Sequence, residues 1–280
     1  MSIVLDHVNY IYNPGTTFER HALKDVSLEI RDGEFIGLIG HTGSGKSTLI
    51  QHLNGLLKCS SGNVYYNGKD IADSDYSLKD LRREVGLVFQ YPEYQLFEAT
   101  VIKDVLFGPG NMGVSQLDGE VAAYEALKSV GIGEELLDAS PFDLSGGQKR
   151  RVAIAGVLAM KPKVLILDEP AAGLDPAGRR EILNLISEVR KEKNLTVILV
   201  SHSMDDVAEY VDRIVVMNDG TVAMDGAPSE VFLHGDELTS MGLDVPEITG
   251  LFMKMKAAGI KVPQNVFTVD EAEKILLAKH

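Results

Sequence analysis

The sequence predicts an α/β fold built on a mostly parallel central sheet. Short apolar runs that read as buried strands recur along the chain, and polar turns and segments with helical spacing separate them. A strongly apolar run, 163–168, and a later run, 195–201, enclose an amphipathic helix at 179–192. Alternation of this kind is typical of parallel sheets, because a parallel strand pair needs a crossover that is usually helical.

Strand signals dominate the first ninety or so residues. Segments 3–12 and 22–30 read as strands, and in the second of them apolar residues alternate before a turn at 31–33. Residues 63–68 read as a strand that runs into a turn, and 85–90 read as a further buried strand.

Helical signals dominate two later regions. Helical periodicity is strong from about 91 to 150, and near the end of the chain segments 241–261 and 268–279 read as helices. The second of these opens on a capping box at 268–271. No motif for chemistry is recognisable in this tail. We therefore interpret it as a helical appendage rather than a ligand-sensing domain, which needs a longer chain.

Composition and charge narrow the class of protein. The chain has 280 residues, 45% of them hydrophobic, which is enough for a sizeable core, and a formal net charge of −14, so no nucleic-acid surface is expected. Its one cysteine, Cys59, allows no intrachain disulfide and fits a reducing compartment. We expect no signal peptide, and no apolar run approaches the ~20 residues of a membrane span. At a membrane the chain would act as a bound subunit.

Residues 40–48 carry a phosphate-binding loop. They fit the pattern G-x-x-x-x-G-K-[ST] and lie between a predicted strand at 34–39 and a predicted helix at 48–57. Backbone N–H groups of the loop and the helix N-terminus attract an anion. Lys46 would place its charge at the β- and γ-phosphates, and the Ser47 hydroxyl would bind Mg²⁺. The residues predicted to bind the nucleotide are Gly40, His41, Thr42, Gly43, Ser44, Gly45, Lys46, Ser47 and Thr48.

Polar side chains follow three other predicted strands. Asp168 ends one strand, where open α/β sheets bind ligands, and is expected to hold Mg²⁺ opposite Ser47. Glu169 comes next and is placed to accept a proton from the attacking water. His202 follows a strand and could hold the γ-phosphate and the water. The amide of Gln90, also at a strand end, could touch both Mg²⁺ and the water.

In motif type, order and spacing, residues 1 to about 235 resemble an ATP-binding-cassette (ABC) ATPase. The resemblance is carried by the Walker A loop at 40–48, the Q-loop glutamine Gln90, the signature at 144–148, Walker B at 164–169, the D-loop at 173–176 with Asp175, and the switch histidine His202. It implies ATP with Mg²⁺, and Tyr12 as the aromatic residue that stacks on adenine.

The same resemblance implies the architecture of the chain. The expected fold is a P-loop NTPase ABC cassette with a mostly parallel core sheet, an antiparallel β subdomain and a helical subdomain at about 91–160. The ATPase domain would cover 1–235, and a small helical C-terminal appendage would cover 236–280.

The signature implies a second cassette. In this family the Walker A site of one subunit faces the signature of another, so Ser145, Gly146, Gly147 and Gln148 would act in trans. The Ser145 hydroxyl, loop N–H groups and the following helix dipole would reach the γ-phosphate across the interface. ATP would close the dimer, and hydrolysis would open it.

Three features resemble the ATPases of energy-coupling factor (ECF) and cobalt-type, CbiO-like importers: the segment 89–97, the segment 148–160 and the helical tail. Segments 40–43 and 168–176 are most similar to the second of two ECF ATPases, which pairs with a non-identical ATPase. The resemblance implies vitamin or metal-ion uptake. It places the chain peripherally at the cytoplasmic face of the cell membrane, bound to a transmembrane T component and indirectly to substrate-binding S components.

This resemblance also implies a groove for a coupling helix of the membrane partner. The residues expected to line the groove are Leu96, Phe97, Val101, Val105 and Phe107.

The sequence leaves two other functions to weigh. A soluble ABC ATPase of the repair or translation class usually has a coiled-coil insertion or two cassettes, and neither is present here. Its nucleic-acid partners also disagree with the acidic charge. An inactive regulatory cassette is not indicated, because Glu169 and His202 are both in place. The residues alone leave a homodimer and a heterodimer both open.

Overall fold

The computed structural model describes residues 2–263 and 265–277. In chain order the strands are β1 (Ser2–Tyr12), β2 (Arg20–Arg31), β3 (Phe35–Ile39), β4 (Ser61–Tyr66), β5 (Lys69–Asp70), β6 (Val85–Val88), β7 (Val164–Asp168), β8 (Thr196–Val200), β9 (Arg213–Asn218) and β10 (Thr221–Gly226). The helices are α1 (Lys46–Leu53), α2 (Leu78–Glu84), α3 (Val101–Asn111), α4 (Gln116–Ser129), α5 (Gly146–Leu158), α6 (Pro176–Lys193), α7 (Met204–Tyr210), α8 (Pro228–Val231), α9 (Gly235–Ser240), α10 (Glu247–Ala257) and α11 (Val269–Leu277). Single 3-10 turns lie at Pro92–Gln95, Glu134–Leu136, Pro141–Asp143 and Phe232–His234.

The larger sheet confirms the predicted parallel core. Its strand order is β10-β9-β3-β8-β7-β6, and all neighbours are parallel except β10, which pairs antiparallel with β9. Every residue of β3 and β8 is buried, as expected for strands that helices cover on both faces. Because β3, β8, β7 and β6 are neighbours and parallel, the segments that follow them emerge at the same edge of the sheet.

The smaller sheet confirms the predicted antiparallel part. Its order is β2-β1-β4-β5, and β1 pairs with β2 in a register that sets Ile3 opposite Ile30. The alternation of apolar residues in β2 buries Val26, Leu28 and Ile30 on one face. That face shares a hydrophobic cluster with residues of α1, so the small sheet covers the helix that follows the phosphate-binding loop.

The predicted helical region contains α3, α4 and α5, which pack on one another. Here the expected groove is partly wrong. Leu96, Val101 and Val105 are buried, because the shared face of Val101 and Val105 packs into the core of the helical region. Phe97 and Phe107 are instead 56% and 48% exposed, with their rings edge to face at 4.9 Å.

The tail is helical, but the predicted single helix over 241–261 is wrong. The chain turns at Gly242, which has φ +73°, and Pro246 precedes α10, so the helix covers only Glu247–Ala257. A glycine in the left-handed region ends a helix, and the proline fixes the entry to the next one. The last predicted helix is confirmed as α11 with its capping box between Thr268 and Glu271, and residues 278 and 279 lie outside the described part.

The tail residues pack in two groups. Leu238, Leu243 and Phe267 join the main core, whereas a small separate cluster contains Phe252 and Val266. Because tail residues share the core of the preceding chain, packing does not divide the protein at 235/236, and that domain boundary stays a prediction. Among the described residues, no helix combines the length and apolarity needed to cross a bilayer.

Candidate nucleotide site

The phosphate-binding loop connects β3 to α1 and has a backbone that only glycine adopts easily. Gly45, the N-cap of α1, has φ +109°, and a Cβ there would lie 2.6 Å from the carbonyl oxygen of Ala22. At Gly40, a Cβ would lie 2.4 Å from the carbonyl oxygen of Met217. Backbone carbonyl groups of the neighbouring strands leave room only for glycine at these two positions, so the loop forms a close turn in front of the N-terminus of α1. A turn of this kind at a helix N-terminus suits an anion.

We expect Gly45→Ala to lower the free energy of unfolding by about 2–5 kcal/mol, through left-handed strain and overpacking together. Gly15→Ala is the matched control, because Gly15 has φ +76° and a Cβ added there would meet no atom of the described part of the chain within 4 Å. It should lose no more than about 1–2 kcal/mol. Urea unfolding of both variants checks this, and equal losses would count against the packing role of Gly45.

Lys46 is the charged residue of the loop and is nearly buried. Its Nζ donates to the carbonyl oxygens of Gly40, at 2.7 Å, and His41, at 3.1 Å. Burial lowers the pKa of Lys46, and the nearby carboxylates of Glu169 and Asp168 offset part of that effect. The cation therefore lies between the loop and the acidic residues at the end of β7.

Two other residues of the loop, His41 and Ser44, contact the turn at Asp219 and Gly220. The His41 ring lies 3.6 Å from Asp219, and its Nδ1 lies 2.9 Å from the carbonyl oxygen of Thr42. The Oγ of Ser44 is buried without a hydrogen-bond partner among the residues described, while its carbonyl accepts from Gly220 N at 2.9 Å.

A cavity of about 310 Å³ opens beside the loop. It is lined by Tyr12, Arg20, Ala22, Gly43, Gly45, Lys46, Ser47 and Thr48. The Tyr12 hydroxyl lies 3.1 Å from the Thr48 hydroxyl oxygen, and the ring of Tyr10 packs edge-on against both Tyr12 and His52. Tyr12 thus lines the cavity, as expected of a residue that meets the base, although adenine stacking stays a prediction.

Arg20 is a cavity residue that the sequence did not single out. Its Nη2 donates to the carbonyl oxygen of Gly43 at 2.8 Å, so its guanidinium lies against the phosphate-binding loop. No motif surrounds it. The only local signal is its position at the start of β2, directly before the residues that pack on the loop.

Asp168 and Ser47, the two residues predicted to bind Mg²⁺ opposite each other, lie within hydrogen-bond reach of one another, and their binding of the ion stays a prediction. Burial raises the pKa of Asp168, and so does the nearby charge of Glu169, whereas Lys46, His202 and a hydrogen bond from the Ser47 hydroxyl act in the opposite sense. A hydroxyl and a carboxylate are the hard oxygen ligands that Mg²⁺ prefers, so this donor set fits the ion.

Glu169 lies between the other two predicted catalytic residues. Gln90 Nε2 donates to Glu169 Oε2 at 3.0 Å, and His202 Nε2 lies 2.8 Å from Glu169 Oε1. The ends of β6, β7 and β8 bring the three together, and Glu169 N extends the ladder by donating to the carbonyl oxygen of Val200. Glu169 has φ +51°, a left-handed conformation that a non-glycine residue adopts only when its surroundings impose it.

The signature begins helix α5. Ser145 is its N-cap, and its hydroxyl accepts from Gln148 N while the Gln148 side chain accepts from Ser145 N. Among residues 2–263 and 265–277, nothing lies within 4 Å of a Cβ built at Gly146 or Gly147, so packing against this part of the chain does not require glycine at either place. The D-loop residue Asp175 caps α6 by accepting from Gly178 N at 2.7 Å.

Comparisons with known proteins show the family of the chain. A family profile described as "ABC transporter" matches residues 23–172. An "Energy-coupling factor transporter ATP-binding protein EcfA2" of Caldanaerobacter subterraneus subsp. tengcongensis is 56% identical over 277 residues, 99% of this chain and 97% of that protein. These findings confirm the predicted family and do not favour the soluble repair or translation class.

Solved structures agree as well. The cbiO1 protein of Clostridium perfringens, described as part of the ABC transporter complex cbiONQ, is 45% identical, with a TM-score of 0.74 over 89% of this chain and 97% of that chain. The cassette MJ0796, solved as a dimer in a post-hydrolysis state bound to ADP and Pi, is 31% identical, with a TM-score of 0.71 over 81% of this chain and 98% of that one. The chain therefore belongs to the ABC transporter family, within the group of energy-coupling factor transporter ATP-binding proteins.

Proposed function

We propose that this chain binds ATP with Mg²⁺ and hydrolyses it as one of two cassettes that power an energy-coupling factor importer. The observation that carries the proposal is the Glu169 carboxylate, which lies within hydrogen-bond reach of both Gln90 and His202. The phosphate-binding loop ends at the same edge of the sheet, so a γ-phosphate held by Lys46 would face these three side chains.

Each residue has a defined task in hydrolysis. Glu169 takes a proton from the attacking water, and Gln90 and His202 hold that water and the γ-phosphate in line. Lys46 places its charge at the β- and γ-phosphates. Ser47 and Asp168 would hold Mg²⁺, together with Gln90 when its amide turns from Glu169, and the bound ion neutralises phosphate charge. Tyr12 would stack on the adenine.

A second cassette completes the site in this proposal. Gly146 and Gly147 leave the N-terminus of α5 uncovered, which suits the close approach of a phosphate bound to a partner. Ser145 and Gln148 shape the same terminus, and Asp175 begins the helix of the adjoining D-loop. The dimeric cassette MJ0796 supports a paired arrangement, and the EcfA2 relatives support a non-identical partner.

The remaining partners follow from the importer class. We place the chain at the cytoplasmic face of the cell membrane, bound to a T component and indirectly to S components that bind vitamins or metal ions. Phe97 and Phe107 form an exposed apolar patch on the helical subdomain that fits a coupling helix of the T component. The division into an ATPase domain over 1–235, with its helical subdomain at about 91–160, and a tail over 236–280 is part of the same proposal.

The proposal is tested by capturing the tagged chain from detergent-solubilised membranes of its own organism and identifying the captured proteins by mass. We expect a second, non-identical cassette, a polytopic protein and smaller membrane proteins. Recovery of the chain alone, from the soluble fraction, would contradict the transport function.

We expect Phe97→Asp to abolish capture of the polytopic protein while leaving ATP binding unchanged, because a charge would be desolvated where the apolar patch meets its partner. Leu233→Asp is the matched control, since Leu233 is 54% exposed, close to the 56% of Phe97, and lies in the 3-10 turn at Phe232–His234 rather than in the helical region. Capture yields measured by quantitative mass spectrometry check this. An equal yield for the two variants would exclude the patch as the docking surface.

A further inference from the structure

A buried arginine links the signature helix to two other segments of the site. The side chain of Arg150 on α5 is only 3% exposed. Its Nη2 and Nε donate to the two carboxylate oxygens of Glu93 at 2.7 and 3.1 Å, and its Nη1 donates to the carbonyl oxygens of Pro170 at 3.0 Å and Ala172 at 2.9 Å. One guanidinium thus makes four hydrogen bonds to two other segments of the chain.

Those segments are the ones that carry the proposed chemistry. Glu93 lies in the 3-10 turn that follows Gln90, and Arg150 itself lies on the helix that Ser145 caps. Pro170 and Ala172 follow Glu169, and Ala172 N donates back to the Glu169 carbonyl oxygen at 3.1 Å. Arg150 therefore contacts the Q-loop segment and the turn after the proposed base from its place on the signature helix.

The turn after Glu169 must be held by its surroundings, because Glu169 has a left-handed backbone that a non-glycine residue keeps only when neighbouring groups impose it. The guanidinium of Arg150 donates to two carbonyl groups of this turn. The same guanidinium forms a bidentate ion pair with Glu93, which fixes its orientation. Lysine has the charge but not the fork of donors, so it cannot make both kinds of contact at once.

We propose that Arg150 is a positioning residue for ATP hydrolysis: it holds the turn that aims Glu169 and ties that turn to the Q-loop segment and to the signature helix. This role rests on the proposed function, in which Glu169 is the base. Through Arg150, the orientation of the Glu169 carboxylate in the ATP site of this chain depends on the position of helix α5. The N-terminus of that helix completes the ATP site of the partner cassette.

The test compares Arg150→Lys with Arg213→Lys in the captured transporter complex. Arg213 makes a similar set of bonds, with Nε and Nη2 on Asp225 at 2.6 Å each and Nη1 on the Glu29 carbonyl oxygen at 3.0 Å. It begins β9, at the opposite edge of the sheet from the loops. The measurements are kcat and KM for ATP and the midpoint of thermal unfolding.

We expect Arg150→Lys to lower kcat about 10- to 100-fold, as for a slightly misplaced catalytic group, with KM changed less than about 2-fold. Arg213→Lys should lower the unfolding midpoint and keep the wild-type kcat. If Arg150→Lys does not fold, Glu93→Gln is the second variant. It keeps the hydrogen bonds of Arg150 to the turn but weakens the bidentate ion pair, and it should lower kcat with KM unchanged.

Two results would overturn the proposal. A wild-type kcat in Arg150→Lys, or in Glu93→Gln if the first variant does not fold, would show that the link is structural only. A loss of kcat in Arg213→Lys as large as in Arg150→Lys would mean that general destabilisation explains both. Turnover that is lost in Glu169→Gln establishes the proposed function separately, whereas full turnover in that variant would overturn both proposals.

Discussion

Glu169→Gln should abolish ATP turnover and leave ATP binding intact. Glutamine keeps the shape of the side chain but cannot take a proton from water, and general-base catalysis contributes roughly 10²–10⁴-fold to a rate. The amide retains one oxygen that can accept from His202 or Gln90, both of which contact the carboxylate in the structure. The loss should therefore fall on kcat rather than on affinity.

Phosphate release by the captured complex measures the rate, and binding of a non-hydrolysable ATP analogue measures the affinity. Glu188→Gln, on the exposed face of α6, is the control for loss of one negative charge. It should keep wild-type turnover. Turnover in Glu169→Gln close to that of this control would refute the assignment of Glu169 as the base.

Lys46→Ala should weaken ATP binding itself. The ammonium is held at the loop by two carbonyl oxygens and is partly desolvated, so its attraction for phosphate is stronger than that of an exposed lysine. A charge-assisted contact of this kind is worth about 1.5–3 kcal/mol, which corresponds to a loss of affinity of roughly 10- to 100-fold. The fold should survive, because the glycines that shape the loop are unchanged.

Isothermal titration with the ATP analogue gives the affinity, and circular dichroism shows whether the variant is folded. The exposed Lys69 of β5 offers a control, since Lys69→Ala removes a positive charge far from the loop motif. A folded Lys46→Ala chain that binds the analogue as tightly as this control would mean that the nucleotide lies elsewhere.

The predictable part of the site depends on short stretches of sequence. The phosphate-binding loop, the Walker B acids and Gln90 each follow a strand whose apolar run is visible in the sequence, and the parallel order of those strands then brings them to one edge. The capping box at Thr268 is equally local and is found in the structure. Local chemistry determines these features, so a single sequence suffices.

The features that escaped prediction depend on packing between distant segments. The spacing of Val101 and Val105 gives a shared helix face but not whether that face meets the core or a partner, and here it meets the core. Arg150 meets Glu93 and the turn after Glu169 only in the folded chain. The error in the tail has a local cause. The apolar spacing of 241–261 favours one helix, but Gly242 and Pro246 within it are helix-breaking residues, and they outweigh the spacing.

The two-cassette site is tested most directly by ATP turnover per molecule of this chain, measured with increasing amounts of the second cassette recovered by capture. We predict that turnover is low for the chain alone, rises to a plateau with the second cassette, and is accompanied by an ATP-dependent species of two-cassette mass in sedimentation. A constant turnover at concentrations where the chain sediments as a single cassette would contradict a site completed in trans.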